Sequence, residues 1–224
     1  MFTGIVQGVA RVAGLREAAG LRSLRLDFAP GFTDGLTVGA SVAVDGVCLT
    51  VTALHGHDAA DFDAMQQTLA VTTLGNLTAG SSANVERAAK DGAEIGGHPL
   101  SGHIDFTARL TELRQPENNQ VLRFAVPAPW MRYVFAKGYI AVAGASLTVA
   151  EVGREAGGAG WFEVWLIPET LRVTTFSDRR VGDNVNIEIE RSTQVMVDTV
   201  REAVADKLGP LLPALEAFAR ERGL

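Results

Sequence analysis

The sequence predicts an all-β protein, in which two tandem, homologous six-stranded Greek-key β-barrels are followed by a C-terminal α-helix. Three observations predict this fold: a motif that occurs twice, about six strand-like segments in each half, and one long helical pattern at the end. The motif reads VDGVCLTVT at residues 44–52 and VAGASLTVA at residues 142–150. Its two copies align Cys48 with Ser146, an offset of 98 residues (146 − 48). A duplicated unit of this length is the size of a small domain.

The duplication extends well beyond this motif. A longer loop at residues 157–160 in the second half raises the offset from 98 to 102 residues. With that allowance the matched segments are 4–12 with 102–110, 62–69 with 164–171, and 80–86 with 182–188. A period near 100 residues is too long for a solenoid or propeller repeat. We therefore predict a first barrel at residues 1–97, a second barrel at residues 98–191 and a helical tail at residues 192–224.

Each half contains short segments that are typical of strands. At residues 21–28 apolar side chains largely alternate with charged ones, as a strand with one solvated face requires. Asp45-Gly46 is the strongest hairpin signal in the chain. The predicted strands are 5–12, 21–28, 39–44, 48–54, 58–64 and 83–87, then 107–113, 121–126, 138–142, 146–152, 161–167 and 184–189. Closing them into barrels leaves no unpaired strand edge.

Helical segments are few. Short helices are predicted at residues 30–36 and 129–135, and segments 66–74 and 169–176 are either turns or helices. The long helix would be capped by Ser192 or Thr193 and would end at Gly209-Pro210, with a further helix possible at 211–222. Its apolar stripe consists of Val195, Val197, Val200, Val204 and Leu208. The stripe is compatible with a lid over the second barrel, and it favours an oligomerisation helix because an apolar face needs a partner surface.

Composition excludes several classes of protein. The 224 residues are 47% hydrophobic and 21% charged, as in an ordinary globular protein. The formal net charge is −6 and no cluster of Lys and Arg occurs, which argues against a nucleic-acid partner. No apolar run approaches the roughly 18 residues that would span a membrane. The first residues do not resemble a signal peptide and there is one cysteine, so we expect a cytoplasmic protein.

The residues alone leave the chemistry open. Cys48 could be a buried inert thiol, and Ser146 and Thr148 could be ordinary strand residues. His98 and His103 are five residues apart without a cysteine or a third histidine nearby, so no metal site is predicted. Phosphate-binding loops and nucleophile elbows have sequence signatures that are absent here. The chain is thus a duplicated β-barrel protein with matched polar positions and an unidentified substrate.

Five motifs, in order and at the same spacing, resemble the riboflavin synthase family. They are MFTGIV at 1–6, GVCLTV at 46–51, GGHPLSGH at 96–103, GASLTV at 144–149 and IPETL at 167–171, and the resemblance covers about residues 1–200. It implies a homotrimer with the C-terminal helix at its axis. It also implies an enzyme that needs no cofactor and converts two molecules of 6,7-dimethyl-8-ribityllumazine into riboflavin and 5-amino-6-ribitylamino-pyrimidinedione by four-carbon transfer. The alternative is a non-catalytic lumazine- or flavin-binding protein of the same fold.

The resemblance also implies two pockets, one in each half. The first would use Gly4, Ile5, Val6, Cys48, Leu49, Thr50, Asp63, Ala64, Met65, Gln66, Gln67 and Thr68. The second would use Gly102, His103, Ile104, Ser146, Leu147, Thr148, Trp165, Leu166, Ile167, Pro168, Glu169 and Thr170. Lys137 would reach in from a neighbouring subunit.

Catalytic roles are implied for Cys48, His103, Ser146 and Thr148. One lumazine must lose a proton from its 7-methyl group, and the other must be activated by addition of a nucleophile. His103 is the natural proton shuttle because imidazole titrates near neutral pH. Ser146 and Cys48 could each help to deliver or replace the nucleophile.

Three positions depart from the family's pattern. Ala143 stands where an Asp is usual, which removes an acceptor from the turn. Glu190 stands where an Asp usually ends the run after Glu188, and Gln66-Gln67 replaces a Pro-Glu or Lys-Glu pair. These departures leave Cys48, His103, Ser146 and Thr148 in place, so they bear more on turnover rate than on the ligand.

Overall fold

The computed structural model describes residues 1–18 and 20–222 and contains two compact units, of which the first is Met1–Glu190 and the second begins at Arg191. The first unit holds two closed antiparallel barrels of six strands each, as predicted. Around the first barrel the strands follow the order β1-β2-β5-β4-β3-β6. Their bounds are Gly8–Ala18 (β1), Leu21–Asp27 (β2), Ser41–Val44 (β3), Val47–His55 (β4), Ala59–Met65 (β5) and Ser82–Arg87 (β6).

The second barrel repeats the first. Its cyclic strand order, β7-β8-β11-β10-β9-β12, is the same order shifted by six strands. The bounds are Phe106–Arg114 (β7), Gln120–Val126 (β8), Tyr139–Val142 (β9), Ala145–Arg154 (β10), Gly160–Leu166 (β11) and Asn184–Ile189 (β12). The all-β prediction and the internal duplication are therefore confirmed.

Bulges occur at equivalent places in the two barrels. The strand register shifts between Val12 and Gly14 in β1 and between Leu110 and Glu112 in β7. A second pair of shifts lies in β4 and β10, at Val51/Ala53 and Val149/Glu151. A bulge adds a residue to one strand and increases its twist, which bends a flat sheet towards closure.

The hairpins before β4 and β10 meet each other. Asp45 and Gly46 have φ angles of 45° and 83°, and Ala143 and Gly144 have φ angles of 45° and 82°. Two successive positive φ angles define the type I′ turn that suits the twist of a hairpin. A Cβ atom on Gly46 would lie 2.8 Å from the backbone nitrogen of Gly144. Both glycines are therefore required by conformation and by the contact between the turns.

The short helices differ from the prediction in two places. Residues 30–35 form turns, so the helix predicted at 30–36 is wrong; Gly31 and Gly35 take positive φ angles of 85° and 69°, which interrupt a helix. Helix α1 (Gln66–Val71) is followed by a 3₁₀ turn at Thr73–Asn76. Helix α2 spans Ala128–Met131, so the helix predicted at 129–135 ends four residues earlier than expected, and a turn follows at residues 132 and 133. Helix α3 (Pro168–Val173) is followed by a 3₁₀ turn at Thr175–Asp178.

The second unit consists of helices. Helix α4 spans Arg191–Leu208, a 3₁₀ turn spans Gly209–Leu211, and α5 spans Leu212–Glu221. Because α4 already begins at Arg191, Ser192 and Thr193 lie in its first turn, and the cap predicted at either residue is wrong. Met196 is 70% exposed, and Val195, Val200, Val204 and Leu208 are each at least half exposed. Within residues 1–18 and 20–222, no helix is both long enough and apolar enough to cross a membrane.

Candidate functional site

Two short segments leave their own barrels and reach the other. The first crossing segment, residues 2–5, places the carbonyl oxygen of Gly4 2.8 Å from the backbone nitrogen of Ser146, which donates to it. The second crossing segment, residues 100–104, places the carbonyl oxygen of Gly102 2.9 Å from the donating nitrogen of Cys48. The two segments also pair with each other, through Phe2 and Leu100. Each nucleophile-type residue therefore lies under a segment from the other repeat.

Glycine is required where each segment crosses. Gly4 and Gly102 have φ angles of 75° and 79°. A Cβ atom on Gly4 would lie 2.5 Å from Cβ of Ser146, and one on Gly102 would lie 2.6 Å from Cβ of Cys48. Only a residue without a side chain allows the backbones to approach this closely.

The crossing places these residues together differently from the two groups that the resemblance implied. A cavity of about 310 Å³ is lined by Gly4, Ile5 and Val6 together with residues 145–147 and with Glu169 and Thr170 of α3. The first three residues therefore belong with Ser146 and not with Cys48. Gly102, His103 and Ile104 belong with Cys48, and Ile104 packs against the core of the first barrel. The physical reason for this grouping is that residues 2–5 form hydrogen bonds outside the first barrel, whose first strand, β1, begins only at Gly8.

A buried carboxylate anchors each crossing segment to its own barrel. Glu86 accepts hydrogen bonds from the nitrogen of Thr3 at 2.6 Å, the hydroxyl of Thr3 at 2.7 Å and the nitrogen of Gly4 at 3.0 Å. Glu188 accepts the equivalent bonds from Ser101 and Gly102 at 2.7, 2.7 and 3.0 Å. Burial raises the pKa of both carboxyls, and these hydrogen bonds act in the opposite direction.

A buried asparagine in each barrel binds the other barrel. Asn84 and Asn186 are each 1% exposed, and each amide donates to a turn carbonyl and accepts from a backbone nitrogen across the interface. The four bonds are Asn84 to Ala143 at 2.9 Å, Thr175 to Asn84 at 2.8 Å, Asn186 to Asp45 at 2.9 Å and Thr73 to Asn186 at 2.7 Å. The reciprocal pattern holds the two barrels in a defined arrangement.

One interaction breaks this symmetry. Asp45 is buried, accepts from the nitrogen of Asn84 at 2.8 Å and lies 3.6 Å from the guanidinium of Arg179. Burial raises the pKa of Asp45, and Arg179 lowers it. In the repeat, Ala143 is equivalent to Asp45 and Leu77 is equivalent to Arg179. The second copy of this ion pair therefore lacks both its carboxylate and its guanidinium. The departure at Ala143 thus leaves no buried charge without a partner.

Ser146 and Cys48 have different surroundings. The hydroxyl of Ser146 lies 2.6 Å from Nδ1 of His98, which is 2% exposed and stacks on the ring of Tyr139. Burial lowers the pKa of His98, and the negative charge of Glu190 acts in the opposite direction. Cys48 is half-buried and packs against a cluster that includes Phe2 and Leu100.

His98 was not among the site residues predicted from sequence. It precedes the matched part of the second repeat, and its only signal is its place in the GGHPLSGH motif. The ring becomes relevant because residues of both barrels surround it. His103 is exposed, and its backbone nitrogen donates to the hydroxyl of Ser101 at 3.2 Å.

The remaining predicted site residues are of two kinds. Leu49, Ala64 and Leu166 are buried and point into the barrel cores, so only their backbones can contact a ligand. Exposed or half-exposed positions are Thr50, Asp63, Met65, Gln66, Gln67, Thr68, Leu147, Thr148, Trp165, Ile167, Pro168, Glu169 and Thr170. Glu169 pairs with Arg172 at 2.6 Å, which lowers the pKa of the carboxyl. Lys137 is exposed and has a φ angle of 68°.

No group of three or more His, Cys, Asp or Glu side chains within residues 1–18 and 20–222 is arranged to hold a metal ion.

Comparison with known families and structures agrees with this architecture. The lumazine binding domain family matches twice, at residues 3–88 and 101–190. The fold resembles crystal structures of LumP with 6,7-dimethyl-8-(1′-D-ribityl) lumazine, at 20% identity and a TM-score of 0.72, and with riboflavin, at 22% identity and a TM-score of 0.73. Each alignment covers 85% of this chain and 100% of the LumP chain.

Sequence relatives are considerably closer. The riboflavin synthase of Escherichia coli (strain K12) is 46% identical over 206 residues, which is 92% of this chain and 94% of that protein. The riboflavin synthase of Chlamydia pneumoniae is 42% identical over 92% of this chain and 98% of its own length. That of Mycobacterium tuberculosis (strain H37Rv) is 41% identical over 91% of this chain and 100% of its own length. With two lumazine binding domains and this degree of identity over nearly the whole chain, the protein belongs to the riboflavin synthase family.

Proposed function

We propose that the protein catalyses the dismutation of 6,7-dimethyl-8-ribityllumazine to riboflavin and 5-amino-6-ribitylamino-pyrimidinedione. The observation that carries this proposal is the reciprocal crossing, in which Gly4 covers Ser146 and Gly102 covers Cys48 at 2.8 and 2.9 Å. A dismutation uses two copies of one molecule in different roles. Two equivalent sites in the repeat, with different reactive residues, meet that requirement.

Orientation is the main contribution that such a site makes. Holding two reactants in a productive geometry can lower a barrier by roughly 7–11 kcal/mol. We propose that Cys48 and His103 serve the lumazine in the first pocket, and that Ser146 and Thr148 serve the lumazine in the second. The other exposed residues of the two pockets, with the backbones of Leu49, Ala64 and Leu166, would hold the heterocycles and the ribityl chains. No cofactor enters this proposal, because one lumazine donates the four carbons that the other accepts.

The activity is directly testable. Purified protein mixed with the lumazine alone should form riboflavin, seen by its absorbance and fluorescence, at one riboflavin for every two lumazines consumed. Lumazine that binds and stays unchanged would refute the enzymatic activity and identify a lumazine-binding protein. LumP, which has a similar fold, was crystallised with this lumazine. A protein that binds neither lumazine nor riboflavin would refute both.

Oligomerisation forms part of the proposal. The exposed apolar residues Met196, Val200, Val204 and Leu208 recur every four positions on α4, which is the spacing of one helix face. We propose that this face joins three chains, and that the first barrel of one chain then faces the second barrel of another. Lys137 would reach a pocket in the neighbouring chain. The cytoplasm is the proposed location, since a single cysteine suits a reducing compartment.

Truncation tests the role of α4. Removing the chain after Glu190 should lower both the sedimenting mass and the rate of riboflavin formation, with the barrels remaining folded by circular dichroism. Met196→Ser is the milder companion variant. A truncated chain that sediments as a trimer with full activity would exclude α4 as the trimer contact.

A further inference from the structure

His98 is held rigidly against Ser146 by residues from both barrels. Its backbone nitrogen donates to the carbonyl of Thr3 at 3.1 Å, and Thr3 is fixed in turn by Glu86. A Cβ atom on the preceding residue, Gly97, would lie 2.6 Å from Cβ of Ser146. The ring stacks on Tyr139 with a centroid distance of 5.2 Å. The 2.6 Å separation of Nδ1 and the Ser146 hydroxyl is therefore built into the fold.

The other nitrogen of the ring is an unusual feature. Nε2 of His98 is buried and makes no hydrogen bond within the part of the chain that the structure describes. Leaving a buried polar atom without a partner is costly, and such atoms in native proteins call for an explanation. A neutral imidazole has one N–H donor and one acceptor nitrogen, so the two nitrogens cannot be assigned independently.

One assignment allows proton transfer. The pair can accept a proton from a ligand only with hydrogen on Nε2, and the negative charge of Glu190, which raises the pKa of the ring, then favours the imidazolium that would form. With hydrogen on Nε2, Nδ1 must accept, so the Ser146 hydroxyl donates to it. Ser146 lines the same cavity as Gly4, Ile5 and Glu169, so its oxygen keeps lone pairs that can accept from a ligand bound there.

We propose that His98 is a positioning residue of the second pocket, which holds the Ser146 hydroxyl as a donor to Nδ1 and so makes its oxygen a proton acceptor towards the bound ligand. This inference rests on the proposed function. In the step it implies, a C–H bond of the ligand's methyl group breaks and its proton moves to the Ser146 oxygen. The Ser146 proton moves to Nδ1, and the electron pair stays on the ligand. His98 becomes an imidazolium near Glu190, and Ser146 ends as it began.

The first pocket contains no counterpart of this pair. Cys48 takes the place of Ser146 and packs against Phe2 and Leu100. The residue over it, Gly102, contributes a carbonyl oxygen to the Cys48 nitrogen, and the histidine that follows, His103, is exposed, whereas His98 is buried beside Ser146. The inference therefore assigns loss of the ligand proton to the second pocket, and the first pocket is left to bind the lumazine that is activated by nucleophile addition.

The tautomer can be measured without any turnover. In protein labelled with ¹⁵N in its four histidines, the resonances that disappear in His98→Asn belong to His98. We expect them to show hydrogen on Nε2 and an acceptor at Nδ1, and we expect the Nδ1 resonance to shift in Ser146→Ala. Hydrogen on Nδ1 would overturn the inference, whether or not the protein makes riboflavin. A wild-type protein with the expected tautomer and no riboflavin formation would instead refute the proposed function alone.

Kinetics supply the second test. His98→Asn retains a hydrogen-bonding group near the position of Nδ1 but cannot take up a proton. We expect kcat to fall at least about tenfold while lumazine Kd changes by less than about threefold. Ser146→Ala should lower kcat similarly, and the double variant should be little slower than either, because the two residues act as a unit.

The matched control is His57→Asn, the same substitution at an exposed histidine of the β4–β5 turn, which should leave kcat unchanged. Unchanged kcat in His98→Asn, or effects of the two single variants that multiply in the double variant, would overturn the inference. If His98→Asn does not fold, as judged by circular dichroism, the kcat of Ser146→Ala and the His98 tautomer of the wild-type protein still test the inference.

Discussion

Glu86 and Glu188 each fix a crossing segment through hydrogen bonds that only a carboxylate can accept. One oxygen of each side chain takes two donors, and the other takes the nitrogen of Gly4 or Gly102 at 3.0 Å. The carboxylate belongs to one barrel, while the segment that it fixes covers the reactive residue of the other. A single side chain in one barrel therefore controls access to a pocket of its neighbour.

Glu188→Gln should make Cys48 more accessible. The amide nitrogen would replace an acceptor and face the nitrogen of Gly102 or Ser101, so the crossing segment over Cys48 would open more often. We expect alkylation of Cys48, the only cysteine in the chain, to accelerate about tenfold, the effect of about 1.4 kcal/mol of local destabilisation. Glu86→Gln is the matched control, since its segment covers Ser146. Equal acceleration in both variants would indicate general loosening and would contradict the pairing of segments with pockets.

Asp61 provides a prediction about pH. Hydrogen bonds from Arg25 at 2.8 and 3.0 Å, and a smaller effect of His55, lower its pKa to about 2. Because the pKa of this carboxyl is lower in the folded protein, its charge stabilises the fold at pH values above the pKa in the unfolded chain, which is near 4. This stabilisation is lost as the pH falls through the folded-state pKa of about 2.

Asp61→Asn should therefore reduce the free energy of unfolding at pH 7 by about 1 kcal/mol or less, as for a surface ion pair. The difference from wild type should fall to about half near pH 3. Urea unfolding at several pH values measures it. A difference that stays constant down to pH 3 would assign the effect to packing and not to charge.

At the scale of elements, the two hairpin turns form the closest approach between the barrels. Asp45-Gly46 and Ala143-Gly144 lie back to back, and Asn84 and Asn186 bind the carbonyls of the opposite turns. The strongest local signal in the sequence, Asp45-Gly46, thus marks a turn and also the contact that joins the repeats.

Gly144→Ala should destabilise the protein by at least about 2 kcal/mol, because strained φ angles cost about 1–3 kcal/mol and the new Cβ atom adds a clash. That atom would lie 2.8 Å from the nitrogen of Gly46. Gly39→Ala is the matched control: its φ angle of 89° is similarly positive, but no atom lies within 4 Å of the added carbon. We expect the control to cost about 1 kcal/mol, the φ contribution alone. Equal losses of unfolding free energy would mean that the turns do not restrain each other.

Strand positions could be predicted because alternation and turn residues are local properties. The helix expected at residues 30–36 failed because Gly31 and Gly35 adopt positive φ angles that a helix does not allow. The partner of residues 2–5 could not be predicted, because the sequence of an extended segment does not specify which strand edge it will pair with. For the same reason the role of His98 was missed, since its contact with Ser146 joins residues 48 positions apart.

At the scale of the whole molecule, we expect neither barrel to contain a complete pocket. Residues 1–97 include Cys48 but not Gly102, and their crossing segment covers a residue that lies in the other half. The reciprocal bonds of Asn84 and Asn186 hold both halves in the arrangement that completes each pocket. We therefore expect ligand binding to require a pair of barrels.

A fragment of residues 1–97 should form a dimer. Residues 2–5 of one copy can cover Cys48 of the other in the way that residues 100–104 do in the full chain, since the two segments are equivalent in the repeat. We expect the dimer to bind riboflavin and to form it only very slowly from lumazine, because Ser146 and His98 are absent. Sedimentation with and without riboflavin measures this. A monomeric fragment that binds riboflavin as tightly as the full chain would contradict the need for a crossing segment.

The crossing segments have the form of a domain swap whose two partners have been fused into one polypeptide. In a dimer of single repeats each copy would lend its first residues to the other, and both pockets would necessarily be alike. Fusion allows the pockets to diverge, yet every pocket remains a hybrid of the two repeats. A chimaera that takes its first barrel from one relative and its second from another would therefore inherit no pocket intact from either parent. Exchanging residues 2–6 along with the second barrel would transfer the Ser146 pocket as a unit.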